Sequence, residues 1–347
     1  MSSTSSLKIL PLPNHGAECF LNTALNMFRL GNSYTTQIFK DKEIIEKIMK
    51  KIEKSELFKK QYDNFFIEFT KSHEINTFFD EIRILIDNPI KKKHNFDALY
   101  PLYVSFYGLI SFFQLCDFIL HDKIPNKQLL YGLLILKKIR IVDKETQLSW
   151  CGSIPCDCSR VILTEMLNLI CNYYPFFVNE NINLISQTTF NFDGEILPSI
   201  PIEVFDDKTS SLKTGIYSLI KICVQEKRAL LPFDDVKSLF FFNNLQFGEN
   251  ELPICLNFKD DEKIHKFILQ GIGVALHYDV ASFNASHHFS LGISVDEKNK
   301  KMSVFVGNDG HFGSFELDFT TFSYDIIRKH MEIDRSFPSI VVYNKKI

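Results

Sequence analysis

The sequence has little tryptophan, little cysteine and no excess of charge of either sign, and each shortage excludes a class of protein. One Trp and eight Cys occur in 347 residues. Cysteines this sparse do not form a disulfide scaffold, so we interpret them as reduced thiols of a cytoplasmic protein. Lys and Arg number 39 against 42 Asp and Glu, a formal charge of −3. This balance argues against nucleic-acid binding, which normally shows as a basic excess.

Leader and membrane signals are also weak. The first ten residues, MSSTSSLKIL, have no basic segment followed by an apolar one, so we predict no secretory signal and a disordered tail over 1–6. Residues 98–116 carry no charge and are about long enough to span a bilayer. Because Pro101, Gln114 and several hydroxyl groups dilute their hydrophobicity, we predict a buried helix pair, with a membrane span as the alternative.

The hydrophobic periodicity changes along the chain. Residues 40–75, 98–141 and 157–172 have patterns typical of helices, the first of them amphipathic and solvent-facing. After about residue 185, short apolar or alternating runs lie between turn residues, a pattern typical of strands. The sequence therefore predicts an α+β protein with a helical N-terminal half and a β-rich C-terminal half.

Cys19 lies directly before a run with helical spacing. In NHGAECFLNTAL the apolar positions Leu21, Ala24 and Leu25 recur at intervals of three and four, which predicts a helix that begins near Cys19. A thiol at a helix N-terminus lies where the macrodipole favours the thiolate. Cys19 is therefore a candidate nucleophile, which needs a base and a group that orients the base.

A predicted hairpin supplies candidates for both roles. HHFSLGISV (287–295) alternates, a polar turn follows, and MSVFVGND returns. If the turn centres on Lys298, His288 lies opposite Asn308 and His287 opposite Asp309, within reach of an imidazole–amide hydrogen bond. This geometry favours His288 as base and Asn308 as its orienting residue, although a one-residue slip would break both pairings. An ordinary surface histidine is the alternative.

The segment around Cys19 resembles the cysteine box of the ubiquitin-specific proteases. That box has the form N-x-G-x-x-C-[YF]-[ML]-N-[ST]-x-L-Q. The residues that fit it are Asn14, Gly16, Cys19, Phe20, Leu21, Asn22, Thr23 and Leu25. Glu18 replaces the usual Thr and Asn26 the usual Gln.

Further segments resemble the family's boxes in the family's order. CDCSRVILTEML (156–167) is similar to the QQD box, SHHFSLGI (286–293) to the histidine box and VFVGND (304–309) to the segment with the third catalytic residue. Weaker resemblances lie at 252–259, 271–278 and 339–346, so the resemblance spans 7–347. It implies catalytic residues Cys19, His288 and Asn308, and an oxyanion-binding amide at Asn14.

The resemblance implies a papain-like fold with a helical thumb, a β-rich palm and short fingers. One catalytic domain is expected over 7–347, with the thumb at about 7–180, an enlarged or inserted helical region at about 40–150, and fingers and palm at about 181–347. The implied activity is cleavage after the C-terminal Gly of ubiquitin. The expected protein is a monomer without cofactor, in the cytoplasm, or in the host cytoplasm if a virus or intracellular bacterium encodes it.

Some positions depart from the family pattern or stay open. The region expected to hold a structural zinc contains Cys223 but no C-x-x-C, so no metal is expected. His287 and Asp309 are secondary site candidates, and the Glu18 side chain is expected to point to solvent. Two alternative functions are a protease for a ubiquitin-like modifier (SUMO, or the neddylation or interferon-induced modifier) and a catalytically inactive ubiquitin-binding member. A papain-fold enzyme of other specificity is the least favoured.

Overall fold

The computed structural model describes part of the chain. The described residues are 9–14, 18–31, 114–115, 118, 122–125, 127, 130, 149–151, 154–156, 159, 162–163, 166–167, 187–188, 202–204, 238–243, 252–260, 263–276, 287–308 and 311–346.

Helix α1 spans Cys19–Gly31, which confirms the helix predicted to begin near Cys19. It is buried almost all round, because apolar side chains cover most of its surface and the polar Asn22, Thr23 and Asn26 are buried with them. The helix ends at Gly31, where a side chain would overlap the ring of Phe240. Thus α1 is an internal helix, and its N-terminal residue is the candidate nucleophile.

Eleven strands are described. Their bounds are β1 Ser149–Cys151, β2 Ile154–Cys156, β3 Gln187–Thr188, β4 Ile202–Val204, β5 Ser238–Asn243, β6 Cys255–Asp260, β7 Lys263–Leu276, β8 His287–Asp296, β9 Lys301–Asn308, β10 His311–Asp318 and β11 Ser336–Lys345. The strands predicted in the C-terminal half are confirmed at β4 to β9 and at β11. Strand β10 and helix α2, Tyr324–Met331, were not predicted.

Nine of the described strands form one sheet. Its order is β10-β9-β8-β7-β11-β5-β3, with β4 also paired to β5 and β6 to β7. Strands β7 to β10 are consecutive antiparallel neighbours, as short connections favour. The long β7 pairs with β6 through its first half and with β8 through its second. The β-rich C-terminal half predicted from the sequence is therefore confirmed.

The two faces of the sheet pack differently. One face carries a cluster of large apolar side chains, among them Phe289 and Leu291, which packs with Tyr324 and Ile327 of α2. The buried Tyr324 hydroxyl donates to Ser336 Oγ at 2.9 Å, so its polar atom is satisfied. The other face contacts α1. Because both faces are covered, the face of β8 that holds His288 is buried rather than solvent-facing.

The β8–β9 hairpin has a register one residue away from the predicted one. The ladder pairs Ser290 with Gly307 and Asp296 with Lys301, so the turn contains four residues and does not centre on Lys298. Asp296 fixes this turn, since its carboxylate accepts from the backbone N–H of Lys298 and Asn299, each at 3.1 Å. Lys300 completes it in the left-handed conformation, at φ 54°. The predicted pairing of His288 with Asn308 was therefore wrong.

The chain forms two compact units. The first comprises Met1–Thr35, Cys158–Asn168 and Asn183–Ile347, and the second Thr36–Asp157 and Leu169–Ile182. In the second unit, β1 and β2 form an antiparallel pair. Within the described ranges no helix is long and apolar enough to cross a membrane.

Several sequence predictions fall outside the described residues. These are the tail 1–6, the helix at 40–75 and nearly all of 98–116. The enlarged or inserted region at 40–150 stays a prediction.

Candidate active site

Cys19 and His288 meet although 269 residues separate them in sequence. The Cys19 Sγ lies 3.9 Å from the His288 Nδ1. Cys19 is the first residue of α1, and His288 lies near the start of β8, paired with Ala275 of β7. His288 is only 6% exposed, so its imidazole has little freedom to turn away from the thiol. The thiol and the imidazole thus form the pair that nucleophilic catalysis requires, with the nitrogen facing the sulfur.

Glycines bring α1 close enough to the sheet for this contact. A Cβ at Gly271 would lie 2.6 Å from Leu30 Cδ1, and one at Gly273 would lie 3.1 Å from Thr23 Cγ2. Real side chains there would push the helix outward, because backbone and side-chain atoms already fill the space. At these two positions of β7, no side chain separates the sheet from α1. This lets the helix N-terminus rest against β8.

Asn14 lies at the N-terminus of α1, beside the candidate nucleophile. Its Oδ1 accepts a hydrogen bond from the Glu18 backbone N–H at 2.9 Å. Since a backbone N–H can only donate, the carboxamide oxygen must face Glu18, and the NH₂ group points elsewhere. This contact fixes the orientation of the amide next to Cys19. The arrangement is consistent with the oxyanion role expected for Asn14.

The Glu18 side chain is buried, not solvent-facing as expected. It is 3% exposed, directly before the candidate nucleophile. The sequence did not indicate this, because Glu18 is a charged residue in a segment that precedes the helix. Glu18 is therefore a buried neighbour of Cys19 along the chain.

The third catalytic position is not fixed by the hairpin. Asn308 ends β9, where its backbone pairs with His311 of β10. Continued by one residue, the β8–β9 register would set Asn308 across from Phe289 rather than from His288. Asp309 lies outside the described residues. His287 is half-buried at the start of β8, next to His288 in sequence and therefore on the other face of the strand.

Two further asparagines contact the chain that leads to Asn14. Asn26 bonds the backbone of Leu10, and Asn22 donates to the carbonyl oxygens of Leu12 and Pro13. Neither residue was predicted to have a role. The signal was present, since Asn22 and Asn26 are polar residues inside an apolar helix at a spacing of four.

Cys255 is a second described thiol, and its surroundings differ. Cys19 and Cys255 both lack a disulfide. The Cys255 Sγ donates to Glu297 Oε1 at 3.5 Å, and Glu297 also pairs with Lys266, at 2.6 Å, and with Lys346. Burial and the hydrogen bond to Glu297 raise the pKa of the Cys255 thiol. The bonds from Lys266 and Lys346 lower the pKa of Glu297 to about 2.

Comparisons with known proteins give only distant similarity. No protein-family model matches the chain, and no curated protein does. Among solved structures, the chain is similar to the pseudoubiquitin-hydrolase of Saccharomyces cerevisiae Pan2, with a TM-score of 0.39 and 13% identity over 74% of this chain and 86% of that one.

It is also similar to the larger pseudoubiquitin-hydrolase–RNase module of Pan2, with a TM-score of 0.42 and 14% identity. That match covers 72% of this chain and 51% of the module, so the chain spans about half of the module's length. These TM-scores lie below the level that indicates a common fold. The contacts of Cys19, His288 and Asn14 are therefore the structural basis for a functional proposal.

Proposed function

We propose that the chain is a cysteine-dependent deubiquitinase with a papain-like fold, which cleaves the bond after the C-terminal Gly of ubiquitin. The observation that carries the proposal is the contact of Cys19 Sγ with His288 Nδ1 at 3.9 Å, at a helix N-terminus. The same two residues are the nucleophile and base implied by the resemblance to the ubiquitin-specific proteases. Cys19 and His288 lie in one compact unit, so their contact is internal to it.

The proposed reaction has two stages. His288 takes the thiol proton as the Cys19 sulfur attacks the Gly carbonyl carbon, and the carbonyl electron pair moves onto oxygen. The carbonyl re-forms, the C–N bond breaks, and His288 gives the proton to the leaving lysine amine. Water then attacks the thioester carbonyl carbon as His288 takes its proton, the C–S bond breaks, and the Cys19 sulfur regains a proton from His288. Asn14 donates to the oxyanion in both stages, a contact worth about 2.7–4 kcal/mol in related sites.

A third residue orients the imidazole in this mechanism. Asn308 is proposed for this role on the strength of the family resemblance, without the support of the hairpin register. Asp309 is the alternative, since it follows Asn308 directly in the sequence. Separate Asn308→Ala and Asp309→Ala variants distinguish the two, because the orienting residue supports turnover while its neighbour does not.

Hydrolysis of fluorogenic substrates tests the proposed function. Ubiquitin, SUMO, the neddylation modifier and the interferon-induced modifier would each carry a C-terminal amide-linked fluorophore. We expect release from ubiquitin, complete loss in Cys19→Ala and no change in Cys255→Ala, which removes the other thiol whose side-chain surroundings the structure describes. Release from another modifier alone would reassign the substrate. Folded protein that binds ubiquitin and releases nothing would be an inactive member, and the proposal would fail.

A further inference from the structure

A five-residue segment upstream of α1, Leu10-Pro11-Leu12-Pro13-Asn14, is poorly suited to pair as a β-strand. Pro11 and Pro13 have no N–H group, and each restricts the residue before it to extended conformations. Extended backbone without a neighbouring strand leaves carbonyl and N–H groups to be satisfied by other donors and acceptors. Here, side chains of α1 supply several of them.

Three asparagines join this segment to α1. Asn26 accepts from the Leu10 N–H at 3.1 Å and donates to the Leu10 carbonyl at 3.2 Å. Asn22 donates to the carbonyls of Leu12 and Pro13, both at 3.3 Å. Asn14 closes the series by accepting from the Glu18 N–H at 2.9 Å. We call this set of contacts the asparagine ladder.

The spacing of the ladder follows from the rise per residue of an α-helix and of a polyproline-type chain. Its positions 18, 22 and 26, the first directly before α1 and the others within it, are four residues apart, which corresponds to about 6.0 Å along an α-helix. Its segment positions, 14, 12 and 10, are two residues apart, about 6.2 Å in a polyproline-type chain. The two chains therefore stay in step over three contacts. A helical segment, which rises about 3.0 Å over two residues, would lose the match after one contact.

The asparagines that α1 contributes to the ladder are buried. Asn26 is 2% and Asn22 7% exposed. Directly before the segment, Ile9 fills the space over two glycines of the sheet: a Cβ at Gly292 would lie 2.8 Å from Ile9 Cγ1, and one at Gly307 would overlap Ile9 Cγ2. Sheet and helix thus both hold this part of the chain in place.

We propose that Asn22 and Asn26 are positioning residues that set the Asn14 amide relative to the Cys19 thiol. Both the nucleophile and the ladder's helix side chains belong to α1, so the oxyanion donor is positioned by the rigid element that carries the nucleophile. Catalytic donors need placement within about 0.5 Å, which rigid elements achieve better than loops. The proposal rests on the proposed function, because the role of Asn14 is part of it.

A double-mutant cycle tests the proposal by its non-additivity. Asn14→Ala should lower kcat by about 10²–10³-fold, and Asn26→Leu by about 10–10²-fold with KM nearly unchanged, since a misplaced donor acts on the transition state. If Asn26 acts through Asn14, adding Asn26→Leu to Asn14→Ala lowers kcat no further. Multiplicative losses would overturn the proposal.

Controls separate positioning from loss of stability. Met27→Ala removes a buried α1 side chain near Gly271 instead of the ladder, so it should lower Tm without lowering kcat when assayed well below Tm. Asn22→Ala, which removes one donor, is the milder variant should Asn26→Leu fail to fold. A kcat loss in Met27→Ala as large as in the ladder variants would contradict the proposal.

Amide hydrogen exchange tests, without any substrate, whether Asn26 helps to position Asn14. In Asn26→Leu the amide of Glu18, at the opposite end of the ladder from Leu10, should lose protection, as we also expect in Asn14→Ala. Loss of protection at Leu10 alone, with Glu18 unchanged, would show that the contacts are independent and overturn the proposal. If no modifier is hydrolysed, the proposed function fails while the exchange result still supports or refutes the ladder.

Discussion

Cys19 and Cys255 lie in contrasting surroundings within one compact unit. Cys19 begins a buried helix and contacts an imidazole, His288, at 3.9 Å. Cys255 lies on strand β6 and contacts a carboxylate, Glu297, at 3.5 Å. An imidazole can accept the thiol proton and become a cation that attracts the thiolate, whereas a carboxylate repels it.

The contact partner, rather than exposure, distinguishes the two thiols. Both cysteines are half-buried. Lysines 266 and 346 would favour a Cys255 thiolate, but Glu297 pairs with both of them, and the pKa of Cys255 remains raised. Cys255 is thus the natural internal control for Cys19.

Replacing the imidazole should have the largest effect. His288→Gln keeps a hydrogen-bonding group but removes the base, so we expect turnover of the modifier substrate to fall by about 10²–10⁴-fold. Alkylation of Cys19 by iodoacetamide at pH 6 should slow toward the rate of Cys255. Cys255→Ala is the matched control and should leave turnover unchanged. Undiminished turnover in His288→Gln would show that His288 is not the base.

Filling one glycine should disturb the Cys19 region selectively. Gly307→Ala places a Cβ against Ile9 Cγ2, which displaces the segment that ends at Asn14, and overpacking of this kind costs about 1–3 kcal/mol. Gly313→Ala on β10 meets nothing within 4 Å and serves as the control. Urea unfolding and turnover would be measured for both. Equal effects of the two substitutions would contradict the close packing.

Removing the carboxylate beside Cys255 should have the smallest effect. It should accelerate alkylation of Cys255, whereas His288→Gln should slow alkylation of Cys19. In Glu297→Gln the lysines remain while the negative charge is gone, so the pKa of Cys255 should fall and its alkylation at pH 8 should accelerate. Stability at pH 7 should fall by about 1 kcal/mol, as for partly exposed ion-pair networks. An unchanged Cys255 rate would show that Glu297 does not control this thiol.

The same variant has a defined pH dependence. The pKa of Glu297 is about 2 in the folded protein against an ordinary 4.5. A lowered carboxyl pKa stabilises the fold fully above about pH 4.5, and this contribution is lost as the pH falls through about 2. The stability difference between wild type and Glu297→Gln should therefore shrink between these pH values. A constant difference across that range would contradict it.

Local patterns predicted local features well. The spacing of Leu21, Ala24 and Leu25 located helix α1, and alternation located most strands of the C-terminal half. Strand β10 and helix α2 were missed although Phe315 and Leu317 alternate with polar residues and Ser323 is an N-cap that accepts from the Ile326 N–H.

Long-range contacts depended on information that the local pattern does not contain. The hairpin register was missed by one residue because Asp296 selects a four-residue turn. Hydrophobic alternation in the strands does not determine the number of residues in the turn between them. The burial of Glu18 was likewise not indicated by the local sequence pattern. The Cys19–His288 pairing came from the family resemblance together with the residue types, and the asparagine ladder only from the structure.

The alkylation rate of each thiol as a function of pH decides whether Cys19 is the activated nucleophile. Wild-type protein would react with limiting iodoacetamide between pH 5 and pH 9, with modification at Cys19 and Cys255 quantified separately by peptide mass spectrometry. We expect Cys19 to react at least about tenfold faster than Cys255 at pH 6. Parallel pH profiles of equal rate, or faster reaction at Cys255, would show that Cys19 is not activated by His288.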